Sequence, residues 1–148
     1  MGHSGFELLD GRAHLYRGGP QGPAASPAWS GIACGSGAQF SARMARLGDV
    51  NGDGAPDFAV SAPAYSASSR QLHTGLVTVV LDRRNRLERP GLWRTVSSET
   101  DSYFGSDIAG IGDFNGDGLA DMTIGEPYGS GGRGRVYLVL GRRQPLPR

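Results

Sequence analysis

The chain repeats itself. Residues 38–63, AQFSARMARLGDVNGDGAPDFAVSAP, align with residues 102–127, SYFGSDIAGIGDFNGDGLADMTIGEP, at a constant offset of 64 with no gaps, and ten of the 26 positions are identical. The identities are Phe40/Phe104, Ala45/Ala109, Gly48/Gly112, Asp49/Asp113, Asn51/Asn115, Gly52/Gly116, Asp53/Asp117, Gly54/Gly118, Asp57/Asp121 and Pro63/Pro127. Met44/Ile108, Leu47/Ile111 and Val60/Ile124 exchange one apolar side chain for another, and the same offset pairs Trp29 with Trp93. A second shared element follows each unit: GLVTVVLD at 75–82 resembles GRVYLVLG at 134–141, and GRAHLYRG at 11–18 has the same form 64 residues before residue 75. A period of this order marks a repeat architecture, in which each unit buries its apolar face only against its neighbours. The chain therefore divides into the tail of one unit (1–36), a complete unit (37–100) and most of another (101–148).

Each unit reads as short strands joined by turns. A strand leads from Phe40 or Phe104 to Gly48 or Gly112. FAVS (58–61) and MTIG (122–125) are β-rich runs stopped by Pro63 and Pro127. The GxVxVxL elements alternate as a half-buried strand does, and a fourth strand carries Trp29 or Trp93. No run of ten residues keeps a helical apolar stripe. Four strands in about 60 residues is the size of a propeller blade. With 25 Gly and 9 Pro in 148 residues, the longer connections 20–28 and 64–74 are expected to be loops.

Composition narrows the function classes. No stretch approaches the 18 or so apolar residues of a membrane helix. Fifteen basic residues, all Arg, against 14 acidic ones leave a net charge of +1, which excludes the basic excess of a general nucleic-acid binder. The single Cys34 permits no internal disulfide, and His3, His14 and His73 lack zinc-ligand spacing. GSGGRG (129–134) has the form G-x-G-x-x-G, but a strand follows it where a dinucleotide site requires a helix; it reads as a hairpin loop. DRRNRLERPGLWR (82–94) reads as a solvated loop, Cys34 as a small buried residue, His14 as a strand-face residue, and Trp29 and Trp93 as packing between units. No nucleophile elbow or other catalytic constellation is present, so the chain is expected to be no enzyme.

The loops DVNGDGAPD (49–57) and DFNGDGLAD (113–121) both fit D-x-N-x-D-G-x-x-D. Oxygen side chains fall at positions 1, 3, 5 and 9, and Gly at position 6 permits the reversal that turns the carbonyl of position 7 inward. Hard oxygen donors in this number suit Ca²⁺ better than Mg²⁺. An EF-hand opens with the same residues, but it needs Glu at position 12, where Val60 and Ile124 stand, and helices on either side. A plain turn would explain one such loop. It explains two less well, because three carboxylates within nine residues repel one another without a cation.

These elements resemble the FG-GAP repeats of integrin alpha-chain β-propellers and of many bacterial surface proteins. Phe-Gly is Phe104-Gly105 in the later unit and Phe40-Ser41 in the earlier, and Gly-Ala-Pro has become Ser61-Ala62-Pro63 and Gly125-Glu126-Pro127. The resemblance runs over residues 11–141. It implies an all-β fold of four-stranded antiparallel propeller blades, about two and a third of them. It also implies Ca²⁺ at two sites, each on the loop between a blade's first two strands. The ligands carried over are Asp49, Asn51, Asp53, Asp57 and the Ala55 carbonyl, and then Asp113, Asn115, Asp117, Asp121 and the Leu119 carbonyl. The metal's role would be structural, with weak sites that fill outside cells.

The expected function is adhesion or recognition at a cell surface or in a secreted protein, through loops on the propeller face, with a protein or glycan as ligand. No catalysis and no membrane insertion are expected. Accessory repeats of a phospholipase-like secreted hydrolase are the alternative, and a purely structural array is the third reading. Propellers close with four to eight blades, so further blades are expected as partners. They would come from the same gene product, of which the chain would be a fragment without a visible signal sequence, or from association of copies.

Overall fold

The computed structural model describes residues 11–31, 37–83, 86–87 and 93–143. Nearly every element in it is an antiparallel strand, and the strands group by repeat. In the first group β1 (Ala13–Leu15) pairs with β4 (Trp29–Gly31), Leu15 lying opposite Trp29. Between them, β2 (Gly18–Gly19) and β3 (Gly22–Pro23) form a two-residue ribbon where composition predicts only loop. The Ala24 N–H donates to the Arg17 carbonyl at 2.8 Å and closes the base of this ribbon.

The second group is a complete four-stranded meander. β5 (Met44–Gly48), β6 (Asp57–Ala62), β7 (Leu76–Val80) and β10 (Trp93–Val96) pair in that spatial order, each antiparallel to the next. β7 reads LVTVV and all five of its residues are buried, Leu76 and Val77 completely. A strand buried on both faces reads as a continuous apolar run, since neither face meets water. The arginine-rich stretch expected as loop opens with another ribbon, β8 (Asp82–Arg83) against β9 (Arg86–Leu87). Asp82 accepts a hydrogen bond from Arg17 at 3.1 Å, which ties this ribbon to the first group.

The third group is a three-stranded sheet of β11 (Asp107–Gly112), β12 (Asp121–Glu126) and β13 (Arg135–Val139). GSGGRG joins β12 to β13. Its residues Gly129–Gly132 make one tight turn, α1, in which Ser130 and Gly131 are left-handed at φ 57° and 68°. It is the only helical element among the described residues, and none is long and apolar enough to cross a membrane.

The sheets stack face to face and the core lies between them. Ala13, Trp29, Phe40, Val60, Leu76 and Val80 fill the space between the first and second sheets. Leu47, Ala59, Val77, Val79, Phe104, Ile108, Met122 and Ile124 fill that between the second and third, with Trp93 and Tyr137 at its margin. The repeated Phe seals each junction. Phe104 bridges to Gly75 at the start of β7. A Cβ on Gly75 would lie 2.1 Å from the Phe104 carbonyl oxygen, and one on Gly11 would lie 1.9 Å from that of Phe40. Only glycine fits there, and both glycines also hold positive φ, 78° and 67°. The architecture is thus a run of propeller blades, each packed on the next, as the repeat predicts.

Candidate functional site

The two acidic loops occupy the same place in their sheets. Residues 49–56 connect β5 to β6, and residues 113–120 connect β11 to β12. A bulge precedes each, with register shifts between Arg46 and Gly48 and between Gly110 and Gly112. Such a bulge kinks the strand and re-aims the loop beyond it. In both loops positions 4 and 6 are glycines in the left-handed region, at φ 79° and 85° and then 77° and 86°. Those left-handed residues turn successive backbone N–H groups toward the first aspartate.

Those N–H groups define the site. Asp49 Oδ1 accepts from Gly52 at 2.7 Å and from Asp53 at 3.1 Å, and Oδ2 accepts from Gly54 at 2.7 Å. Asp113 accepts from Gly116, Asp117 and Gly118 at 2.7, 3.0 and 2.7 Å. Asn51 Oδ1 accepts from the Asp53 N–H at 2.9 Å, and Asn115 Oδ1 accepts from that of Asp117 at 3.1 Å. The Asn51 and Asn115 amides donate to Asp53 and Asp117 at 3.0 and 2.9 Å. Asp53 and Asp117 in turn accept from Ala55 and Leu119, both at 2.9 Å. The ninth residue anchors the loop from below. Asp57 accepts from Val50 and Asp82, both at 3.0 Å, and Asp121 accepts from Phe114 at 2.8 Å and Gly141 at 2.7 Å. Two loops of different sequence at positions 2, 7 and 8 thus share one hydrogen-bond scheme.

Burial grades the donors. Asp57 and Asp121 are 1% and 0% exposed, and Ala55 and Leu119 are buried, whereas Asp113, Asn115 and Asp117 face solvent. Burial pushes the Asp57 carboxyl up to about 6, and the Asp53 and Asp49 charges add to that rise against the opposing hydrogen bonds from Asp82 and Val50. A buried carboxylate beside two others is in a setting that a cation would relieve. The donor set is all oxygen, with several lone pairs left over after the N–H groups are served, so its chemistry fits a hard divalent ion. The side chains are assembled along the loop but not closed on a point: among the described residues, no group of three or more His, Cys, Asp and Glu is drawn together tightly enough to hold a metal.

The loops also touch one another. The Ala120 N–H donates to the Asp49 carbonyl at 2.8 Å, and the Arg142 N–H donates to the Val50 carbonyl at 2.7 Å. Arg143 lies beside Gly52 of one loop and Gly118 of the other. The two loops thus lie side by side, with Arg143 against both.

The histidines sit elsewhere. His14 is on β1, hydrogen-bonded to the Ser30 hydroxyl at 2.8 Å. His73 pairs with Asp101 at 2.7 Å and stacks on Tyr103. His3 and Cys34 lie outside the described residues, as does much of the arginine-rich stretch.

One further cluster lies outside the expected site residues. Glu126, 0% exposed, accepts from the Ser97 hydroxyl and from Tyr137 Oη at 2.8 Å, and pairs with Arg135 Nε at 3.0 Å. Arg135 also pairs with Glu99. Burial would raise the Glu126 carboxyl, but the Ser97 and Tyr137 hydrogen bonds and the Arg135 charge together hold it below the usual glutamate value. A signal existed in the repeat: Glu126 and Arg135 face each other across β12 and β13 where the previous unit has Ala62 and Leu76.

Comparison with known proteins agrees with the repeated fold. A family model for the FG-GAP repeat matches residues 45–80 and 104–139, one copy on each of the second and third sheets. The chain is 40% identical over 104 residues to integrin alpha-IIb of Homo sapiens, covering 66% of this chain and 10% of that protein. It is 35% identical over 98 residues to integrin alpha-6 of Gallus gallus, covering 66% and 9%, and 33% identical over 98 residues to integrin alpha-PS3 of Drosophila melanogaster, covering 66% and 8%. The chain spans about a tenth of the length of these relatives.

Proposed function

This chain is an FG-GAP repeat protein, and on that premise we propose that it is a calcium-stabilised stretch of β-propeller serving adhesion or recognition outside the cell, without catalysis of its own. The observation that carries the reading is the duplicated loop. Two hairpins of different sequence adopt one hydrogen-bond scheme, and both keep three carboxylates and an amide oxygen within nine residues. Each of these side chains also accepts backbone N–H groups, but uncharged acceptors such as Asn or Ser would serve a turn as well, and three carboxylates together favour a cation.

The ligands would be Asp49, Asn51, Asp53, Asp57 and the Ala55 carbonyl in one loop. In the other they would be Asp113, Asn115, Asp117, Asp121 and the Leu119 carbonyl. Bound Ca²⁺ supplies charge neutralisation and cross-links the loop; the chain supplies the oxygens and, through Asp57 and Asp121, an attachment to the first residue of the following strand. Because the loops hydrogen-bond each other, a cation in either stiffens the junction between the two blades. The opposite ends of the strands are then free to present loops to a protein or glycan, and further blades complete the ring. The unit boundaries would fall at residues 36/37 and 100/101.

Thermal unfolding in millimolar Ca²⁺ against EGTA tests this. The reading predicts a higher midpoint in Ca²⁺ that Mg²⁺ at the same concentration does not reproduce. Equal midpoints in all three buffers would refute it.

A further inference from the structure

We propose that the end of the sheets opposite the acidic loops carries a binding site for a neutral sugar, built from His73, Asp101, Tyr103 and Tyr128. The inference rests on the recognition reading above, to which it gives a place and a ligand class, and it does not depend on the cation. Three connections meet there: residues 63–75 between β6 and β7, 97–106 between β10 and β11, and 127–134 between β12 and β13. Neighbouring strands run antiparallel, so these connections lie at the other end of the strands from residues 49–56 and 113–120. The site sits at the junction of the second and third sheets.

The repeat dictates the backbone of this corner but not its side chains. The Asp101 N–H donates to the Leu72 carbonyl at 2.8 Å, the Tyr103 N–H to the His73 carbonyl at 3.0 Å and the Tyr128 N–H to the Ser102 carbonyl at 3.3 Å. These bonds tie the three connections together. Asp101 and Tyr103 both hold φ 54°, and the same positions of the preceding junction, Gly37 and Gln39, hold 77° and 54°. Glycine adopts that left-handed backbone freely; an aspartate there is strained, and strain of this kind gathers at ligand sites. Tyr128 stands where the preceding unit has Ala64. The neighbouring junction therefore keeps the same backbone hand with Gly, Gln and Ala, and packing does not call for an acid and two phenols. Nor does Tyr128 lie where a following sheet would dock. The second unit receives the next connection on the carbonyls of Leu72 and His73, just before Gly75, and the matching residues before Gly134 are Gly131 and Gly132. Ala64 stays half-exposed with the third sheet in place.

The side chains form a platform beside an acceptor. Tyr103 stacks on His73 with centroids 5.1 Å apart and 14° between the planes, and meets Tyr128 edge-on at 5.7 Å and 72°. An edge-on contact leaves Tyr128 at least one open ring face, and Tyr128 is 60% exposed. His73 Nδ1 hydrogen-bonds Asp101 Oδ1 at 2.7 Å, and the Asp101 side chain is 64% exposed, so the carboxylate keeps lone pairs for incoming donors. A pyranose is the complement: its face of C–H groups lies on an aromatic ring, and its equatorial hydroxyls donate to a carboxylate. His73 already engages one Asp101 oxygen, which suits the group to accept from hydroxyls more than to neutralise a cation, and its charge repels acidic sugars.

The probes are methyl β-glucopyranoside, methyl β-galactopyranoside and methyl α-mannopyranoside, titrated into the full 148-residue chain. Methyl glucuronide and N-acetylarginine amide serve as anionic and cationic controls. Binding is read from the tyrosine ring signals in NMR and from saturation transfer to the sugar C–H protons. At least one neutral sugar should bind saturably, roughly tenfold or more tighter than the glucuronide. Asp101→Gly and Tyr128→Ala, which install the residues of the preceding junction, should each weaken it by roughly tenfold or more at an unchanged melting temperature. Tyr128→Phe, which keeps the ring face, should bind as the parent chain does. No saturable binding of any neutral sugar overturns the proposal. If the arginine amide binds instead and Tyr128→Ala abolishes that binding, recognition at this corner stands and the sugar assignment falls. If a sugar binds equally well to both variants, recognition stands and this site falls.

Discussion

Truncating Glu126 should be among the more damaging changes in the third sheet. Glu126→Ala leaves Tyr137 Oη, the Ser97 hydroxyl and one face of Arg135 without their acceptor. Breaking a buried ion pair by removing one partner costs about 3–5 kcal/mol, and each orphaned polar group costs about 1–3 kcal/mol. Arg135 keeps Glu99 and is 37% exposed on its side chain, so water and the second carboxylate offset part of the loss. That places the expected cost near the bottom of the range, about 3 kcal/mol. The double replacement Glu126→Ala/Arg135→Leu restores the pair that the preceding repeat carries as Ala62 and Leu76. It should recover the part of the loss that comes from the unpaired Arg135, because a well-packed apolar pair commonly equals a buried ionic one, while the Tyr137 and Ser97 hydroxyls stay without their acceptor. Urea unfolding at pH 7, followed by tryptophan fluorescence, reads both. A single mutant costing under about 1 kcal/mol would refute the account of Glu126 as a paired, desolvated carboxylate, and so would a double mutant no better than the single.

Asp113→Ala should lower the melting temperature in EGTA, because three backbone N–H groups lose their acceptor, and lower it further in Ca²⁺, because the contribution of bound metal is lost as well; equal losses in both buffers would make it a turn residue only. The pairing of Glu126 holds its carboxyl below the ordinary value of 4.5, so the stability it confers is complete above that value and is lost as the pH falls through its folded-state pKa. Wild type should therefore lose more stability than Glu126→Gln on acidification through that range, as measured by chemical unfolding in a pH series. Gly75→Ala should destabilise by well over about 1 kcal/mol, since it meets both a positive φ and the Phe104 carbonyl; a neutral result in calorimetry would mean that the blade junction is not held there.

Much of this fold was legible because the repeat does the work of an alignment. A single DVNGDGAPD reads as a turn, but its recurrence 64 residues later, each time before a β-rich run ending at proline, fixes the strands on either side. Trp29 and Trp93 became fourth strands by the same logic. Three features escaped. The β2–β3 ribbon consists of Gly and Pro residues whose propensity opposes a strand, and the Ala24–Arg17 hydrogen bond outweighs it. The attachment of Asp57 to Asp82 and of Asp121 to Gly141 joins residues 25 and 20 apart, which no local pattern reports. The Glu126–Arg135 pair lies where the repeat breaks, and a comparison built on what the units share looks past what they do not. The donors of the acidic loops could be read from sequence because their spacing is local. How far they close on a common point depends on side-chain rotamers, which the spacing does not set.

Calorimetric titration of the intact chain with Ca²⁺ tests the central claim most directly. The account predicts two ions per chain with dissociation constants near 10⁻⁴–10⁻³ M, and at 10 mM Ca²⁺ a stabilisation of about 1.4–2.7 kcal/mol for each site. One ion should remain in Asp113→Ala. No heat of binding at millimolar Ca²⁺, or the same two ions bound after both Asp49 and Asp113 are replaced by Ala, would contradict it.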